Sequence, residues 1–309
     1  ILAAAIAALS AMGAITAMTR APTEPAGTRI EVAPGRHLHV RCEGPPEAPF
    51  VLYDAGAFGI HADGWWIQQH LKSDHRVCLY DRAGLGWSDP PPDGQAPTPD
   101  WHVEDMRRLR DALGQTGPFI LVGHSMAGLR LHAWANLYPE EIAGLVFIDA
   151  VRPQTLDRAR AQRFFPWALR AMDVGIGLAR TGALSGLATL LPDPLALPPD
   201  AAGDKRRAMG RPAHHKAARA EIAAVLAQGL EMPWLQGAAA AERPVSVFTN
   251  SPGGGGNAPV AAAAAEQVGF GRVTVIREAT HVSLLDRTNA GRIAADIRDM
   301  SRRGGDRDG

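Results

Sequence analysis

The residues with the greatest chemical potential stand in Phe119-Ile-Leu-Val-Gly-His-Ser-Met-Ala-Gly128, where four apolar residues run into a serine with small neighbours. A serine hydroxyl becomes a nucleophile when a base takes its proton and a sharp turn leaves its oxygen exposed. The run predicts a buried strand, a tight turn at Ser125 and a helix from Ala127. Residues two places to either side must be small for strand and helix to approach. Gly123 meets that need, while Ala127 stands where a second glycine is usual, and Gly128 follows it. The helix start sets the Met126 N–H where an oxyanion can sit, and the helix dipole favours negative charge there. A turn serine that merely caps the helix is the structural alternative.

A base for Ser125 is expected at His281, in Val273-Thr-Val-Ile-Arg-Glu-Ala-Thr-His-Val-Ser-Leu-Leu-Asp286. It lies beyond the last apolar run and before a final helix. A parallel sheet gathers the C-terminal ends of its strands on one edge, so this loop can reach back to the serine. Of eleven histidines, His281 alone follows His215. His124 adjoins Ser125 but is expected to point elsewhere at the turn, and His132 to pack or face solvent. Serine and histidine in these places point to acyl transfer.

The elements that must position them follow from the apolar pattern. From Thr28 onward, short β-type runs alternate with helical segments, which predicts an α/β fold: a mostly parallel sheet with helices on both faces. Thr28–Val32 and His37–Cys42 read as a hairpin. Buried strands are expected at Phe50–Asp54, Arg76–Tyr80, Phe119–Val122, Leu145–Ile148, Val245–Thr249 and Arg272–Ile276. Helices are expected near Trp101–Leu113, Ala127–Tyr138, Val260–Gln267 and Ala290–Met300. Residues 151–243 break the pattern with Ala- and Leu-rich helical pieces and the break LPDPLALPPD, which reads as an inserted helical cap. The core would then comprise residues 28–150 and 244–303, with a polar tail at 304–309.

Ile1–Met18 carries no charge and is small or apolar apart from Ser10 and Thr16. It reads as an N-terminal membrane anchor or uncleaved signal, with residues 1–27 completed by a linker and the catalytic domain on the outer side of the membrane, or secreted. An Ala-rich helix packed on the domain is the alternative. The 309 residues are 46% hydrophobic, and 32 basic side chains balance 32 acidic ones. No net field favours nucleic acid or an acidic partner, and a small neutral substrate suits that balance. Cys42 and Cys78 offer no metal spacing and are expected as buried free thiols. His214 and His215 are only an adjacent pair with no ligand spacing around them, so no metal is expected.

Four strings in order carry a family resemblance: Asp54-Ala-Gly-Ala-Phe-Gly59, Tyr80-Asp-Arg-Ala-Gly-Leu-Gly-Trp-Ser-Asp89, the GHSMAG elbow, and Leu145-Val-Phe-Ile-Asp-Ala-Val-Arg-Pro153. Over about residues 28–303, and most weakly in the cap, the chain resembles the capped, single-domain α/β-hydrolase superfamily. The resemblance implies an eight-stranded sheet, no cofactor, and the chain order serine, acid, histidine. It also implies a second oxyanion donor in the loop after the third strand. That position commonly reads His-Gly-X. Here it reads Asp54-Ala-Gly-Ala57, and the Ala57 N–H is the expected donor beside Met126. Asp81 and Arg82 are expected to hold the glycine-rich loop that follows them. Trp65 and Trp66 read as a packed helix rather than a pocket mouth.

In most members the acid follows the seventh strand, but here Asn250-Ser-Pro-Gly-Gly-Gly-Gly-Asn257 offers no carboxylate. Asp149 ends the neighbouring strand, on the correct edge and about 4.8 Å from the serine's strand, and is the expected acid. Glu266 is its rival, and Glu278 stands too close to His281 in sequence. The expected activity is cleavage of an ester, or an amide, of a small hydrophobic substrate. A binding protein or receptor on this fold, a cofactor-free haloperoxidase and a carbon–carbon bond hydrolase are the alternatives. Ser125 is incompatible with the aspartate-nucleophile mechanism of haloalkane dehalogenases and epoxide hydrolases.

Overall fold

A computed structural model describes residues 2–19, 24–151, 158–228, 243–250 and 271–305. Its strands are β1 (Thr28–Ala33), β2 (Arg36–Glu43), β3 (Phe50–Asp54), β4 (Arg76–Tyr80), β5 (Phe119–His124), β6 (Ile142–Ile148), β7 (Val245–Asn250) and β8 (Gly271–Ile276). They form one eight-stranded sheet in the order β1-β2-β4-β3-β5-β6-β7-β8. β2 runs antiparallel to both β1 and β4, and every other pair is parallel. β3 and β5 are buried at every position, as strands covered on both faces must be.

The helices are α1 (Leu2–Thr19), α2 (Trp65–Leu71), α3 (Pro99–Ala112), α4 (Ala127–Leu137), α5 (Arg158–Arg180), α6 (Ala183–Leu190), α7 (Pro199–Met209), α8 (Pro212–Gln228) and α9 (Arg287–Gly305). Alternation along the strands divides the core in two. Leu52, Cys78 and Leu121 pack with Met106 of α3 and Trp134 of α4. Val51, Tyr53 and Val122 pack on the opposite face with Ile67 of α2 and Ile297 of α9. Trp65 lies in that second core and Trp66 donates to Leu195 O at 2.8 Å, so both indoles are packing residues. The expected helix over Val260–Gln267 lies outside the described residues.

Helices α5–α8 fall between β6 and β7 and tie onto the loops that leave the C-terminal ends of β3 and β4. Lys205 of α7 pairs with Asp63, Asp204 lies 3.4 Å from His61, and Glu221 of α8 binds Arg82.

Two expectations are overturned. Among the described residues no helix is long and apolar enough to cross a membrane, which removes the transmembrane anchor and the localisation built on it. α1 instead packs on α6 with backbones in close approach. A Cβ on Gly13 would stand 2.3 Å from Gly182 O, and one on Gly186 would stand 2.1 Å from Leu9 O. Apolar composition alone does not distinguish lipid from a protein surface. The cysteines, expected as free thiols, form a Cys42–Cys78 disulfide. They are direct partners in the β2–β4 register, with Cα atoms 4.1 Å apart, a proximity created by antiparallel pairing and not visible in a separation of 36 residues.

Candidate active site

Local geometry makes the turn after β5 expose its serine. Ser125 has φ 55°, in the left-handed region that costs a side-chain-bearing residue energy and persists only where surroundings enforce it. Those surroundings are small. A Cβ on Gly123 would meet Leu131 Cδ1 at 2.5 Å and Ala127 Cβ at 3.0 Å, so the glycine is required while the Ala127 methyl fits. A Cβ on Gly128 would meet Val151 O at 2.2 Å, so its absence lets the end of β6 come in close. Three backbone bonds then stitch the turn to β6 and β7: Ser125 N to Ile148 O at 3.0 Å, Val151 N to Ser125 O at 2.8 Å, and Asp149 N to Phe248 O at 2.7 Å. Asp149 also takes a positive φ, 39°.

Ser125, His281 and Asp149 meet at this edge. His281 Nε2 lies 3.0 Å from Ser125 Oγ, and His281 Nδ1 lies 2.6 Å from Asp149 Oδ2. Thr249 donates to the other Asp149 oxygen at 3.3 Å. The His281 side chain is 46% exposed and that of Asp149 9%, so the imidazole faces solvent while the carboxylate is held behind it. Glu266 lies outside the described residues. Glu278 is in the loop before His281, and the Nδ1 position is taken by Asp149.

His124 turns to His281 rather than to the Ser125 hydroxyl. Its ring centroid lies 4.5 Å from that of His281, and its Nε2 donates to the His281 carbonyl at 3.0 Å. Burial, and next the His281 ring, push His124 down to about 4, so it is a neutral imidazole carrying its proton on Nε2. Alternation could tell that His124 shares a face with Val122. It could not tell that the loop after β8 descends on that face. His132 packs on Phe147 as expected, at 5.0 Å between centroids.

The loop after β3 lies against the serine. A Cβ on Gly56 would stand 2.9 Å from Ser125 Cβ and 3.2 Å from His124 Nδ1, so only glycine allows this approach. The Ala57 and Met126 amides donate no hydrogen bond among the described residues, and both residues are partly exposed. Behind the loop, Arg82 and Arg130 share the Asp54 carboxylate and both donate to Ala55 O. This agrees in part with the role expected of Arg82: it holds a loop, but the one after β3.

Asp81 does hold the glycine-rich loop, accepting from Trp87 N at 3.1 Å, and it also accepts from His61 N and His61 Nδ1. His39 Nδ1 lies 3.1 Å from its second oxygen. His39, His61 and Asp81 offer donor atoms within 4.8 Å of one another, the arrangement among the described residues that could hold a metal ion. Burial opposes charge on His61, but Asp81 and Asp204 outweigh it and raise the ring to about 9. A protonated imidazole and a carboxylate already surrounded by N–H groups fit a charge-balanced knot better than a cation site.

A family model described as alpha/beta hydrolase fold matches residues 51–176. A probable transporter, efuK, of Hormonema carpetanum is 34% identical over 130 residues, covering 40% of this chain and 19% of that protein. The cis-3-alkyl-4-alkyloxetan-2-one decarboxylase of Xanthomonas campestris is 26% identical over 166 residues, covering 47% of this chain and 53% of the relative. The chain thus spans from about a fifth to about a half of the length of these two curated relatives. A solved carboxylesterase structure from Nitrososphaera gargenis superposes with a TM-score of 0.63 at 18% identity, covering 86% of this chain and 96% of that one. Over residues 51–176 the sequence is thus similar to the alpha/beta hydrolase fold model, and across the sheet the chain shares the α/β-hydrolase fold of that structure.

Proposed function

We propose that the protein is a serine hydrolase that cleaves carboxylic esters of small, hydrophobic substrates through Ser125, His281 and Asp149. The observation that carries this reading is the single line of contacts from Ser125 Oγ to His281 Nε2 and from His281 Nδ1 to Asp149. His281 takes the Ser125 proton as Oγ attacks the ester carbonyl. The Ala57 and Met126 amides receive the oxyanion, and the helix start at Ala127 adds its dipole. The tetrahedral intermediate collapses as His281 returns the proton to the leaving alcohol, leaving an acyl-enzyme. His281 then deprotonates water, which attacks the acyl carbon, and the second collapse releases the acid and restores the serine hydroxyl. Asp149 holds the imidazole tautomer and stabilises the imidazolium at both stages. Helices α5–α8, docked on the loops that border this edge, act as a cap that favours an apolar acyl or alcohol group.

The test is turnover of p-nitrophenyl esters of graded chain length, together with a β-lactone. The lactone is included because the Xanthomonas relative is named for an oxetan-2-one, which is a strained cyclic ester. Ser125→Ala is expected to lower turnover at least about a thousandfold while keeping the fold, since oxyanion donors and binding alone leave only residual catalysis. Fluorophosphonate labelling of Ser125 with no turnover of any ester would instead favour a binding protein on this fold.

A further inference from the structure

The ion pairs behind the loop after β3 reach the reacting edge through one peptide unit. A peptide unit is planar, so the Gly56 carbonyl and the Ala57 N–H leave it in opposite directions. Whatever fixes Gly56 O therefore fixes the direction of the Ala57 N–H. Arg82 Nη2 donates to Gly56 O at 2.8 Å, while Nη1 donates to Ala55 O at 2.6 Å and to Asp54 at 3.2 Å. The other two donors, on Nε and Nη2, go to the Glu221 oxygens at 2.8 and 3.0 Å. All five guanidinium N–H groups are thereby used. Arg82 and Glu221 are each 1% exposed, and Glu221 stands on α8, outside the sheet and its covering helices. His102 Nε2 lies 3.2 Å from the same carboxylate. A pair serving the core alone would need neither the carbonyls of residues 55 and 56 nor a partner from the inserted helices.

On the reading of Ser125 as nucleophile, we propose that Arg82 is a positioning residue that aims and polarises the Ala57 N–H toward the oxyanion. Glu221 makes that aim depend on the docking of α8. A cationic donor on a peptide carbonyl strengthens the N–H of the same unit, and a donor fixed before reaction needs no reorganisation as charge develops. Cap and oxyanion donor are then one mechanical unit.

Glu221→Gln tests this, with the double variant Arg82→Met/Glu221→Met beside it. The double variant removes both charges together and so avoids the orphaned buried arginine that could unfold the single variant. Three quantities are measured on each folded variant: kcat and KM for a p-nitrophenyl ester, the rate ratio of that ester to its thionoester, and hydrogen exchange in residues 54–59. Sulfur is larger than oxygen and a weaker hydrogen-bond acceptor, so the ratio reports on oxyanion alignment. We expect kcat to fall about tenfold or more with KM within about twofold, and the ratio to fall at least about fivefold. Exchange in residues 54–59 should quicken at least about fivefold, while that of β5 is unchanged. An unchanged ratio, or a loss seen equally in kcat and 1/KM, would overturn the positioning role. If the wild type turns over no ester, the reading of Ser125 fails separately, and unchanged exchange in residues 54–59 would still refute the clamp.

Discussion

Replacing Asp149 by asparagine removes the charge that faces His281 Nδ1 at 2.6 Å and nearly preserves the side chain's volume. On the proposed mechanism His281 becomes an imidazolium in the transition state, with its charge centre about 4 Å from that of the carboxylate. At an effective dielectric of about 20 such a pair is worth about 4 kcal/mol. The His281 side chain is 46% exposed, so water recovers part of that. A loss of roughly 3 to 4 kcal/mol remains, which is about a hundredfold to a thousandfold in rate. An asparagine that turns its NH2 toward the ring also selects the wrong tautomer, which places the expectation at the larger figure. The assay is kcat for a p-nitrophenyl ester at pH 8, with circular dichroism to establish folding and Glu266→Gln measured alongside. The expected outcome is a drop in kcat of about a thousandfold for Asp149→Asn, little change in KM, and near-normal turnover for Glu266→Gln. Retention of more than about a tenth of wild-type kcat would refute the reasoning, and a crippled Glu266→Gln would pass the role to that residue.

Stability should depend on pH through His61. Burial opposes its charge, yet Asp81 and Asp204 raise the ring from 6.5 to about 9, so the stabilisation is complete below 6.5 and disappears as pH rises through about 9. The gap in unfolding free energy between wild type and His61→Gln should therefore shrink by up to about 3 kcal/mol between pH 6.5 and 10, and a constant gap would count against it. Reduction of Cys42–Cys78, or Cys42→Ser with Cys78→Ser, should cost about 2 to 4 kcal/mol by freeing the loop between them; a denaturant midpoint indifferent to reductant would contradict this. Gly56→Ala sets a methyl 2.9 Å from Ser125 Cβ, and a shift of the oxyanion loop should lower kcat about a hundredfold while the protein stays folded. Wild-type kcat in that variant would show that the loop does not border the reacting atoms.

What was legible in the sequence had a local signature. The elbow at Ser125 is written in apolar residues followed by small ones, and the sheet in alternating strand and helix patterns. The placement of Asp149 beside His281 could be read because strand order limits which carboxylates reach one edge, and because no carboxylate stands in Asn250–Asn257. What escaped was created by pairing distant elements. Cys42 and Cys78 become neighbours only once β4 inserts between β2 and β3. Glu221 lies in the inserted helices, where the pattern is weakest, and its partner Arg82 is 139 residues away. α1 has the composition of a membrane segment, and its partner, α6, is apolar too; their close approach at Gly13, Gly182 and Gly186 pairs elements distant in sequence, which composition does not show. The packing of His124 on His281 was not legible because alternation gives a face but not what packs on that face.

The central claim is that Ser125 is a nucleophile activated by His281. The most direct measurement is to titrate the protein with a fluorophosphonate while following p-nitrophenyl ester turnover, then locate the adduct by peptide mass spectrometry. One phosphonyl group per chain is expected, on Ser125, with turnover lost in proportion to labelling and labelling abolished in His281→Ala. An adduct on any other residue, or full turnover by a chain fully labelled at Ser125, would contradict it.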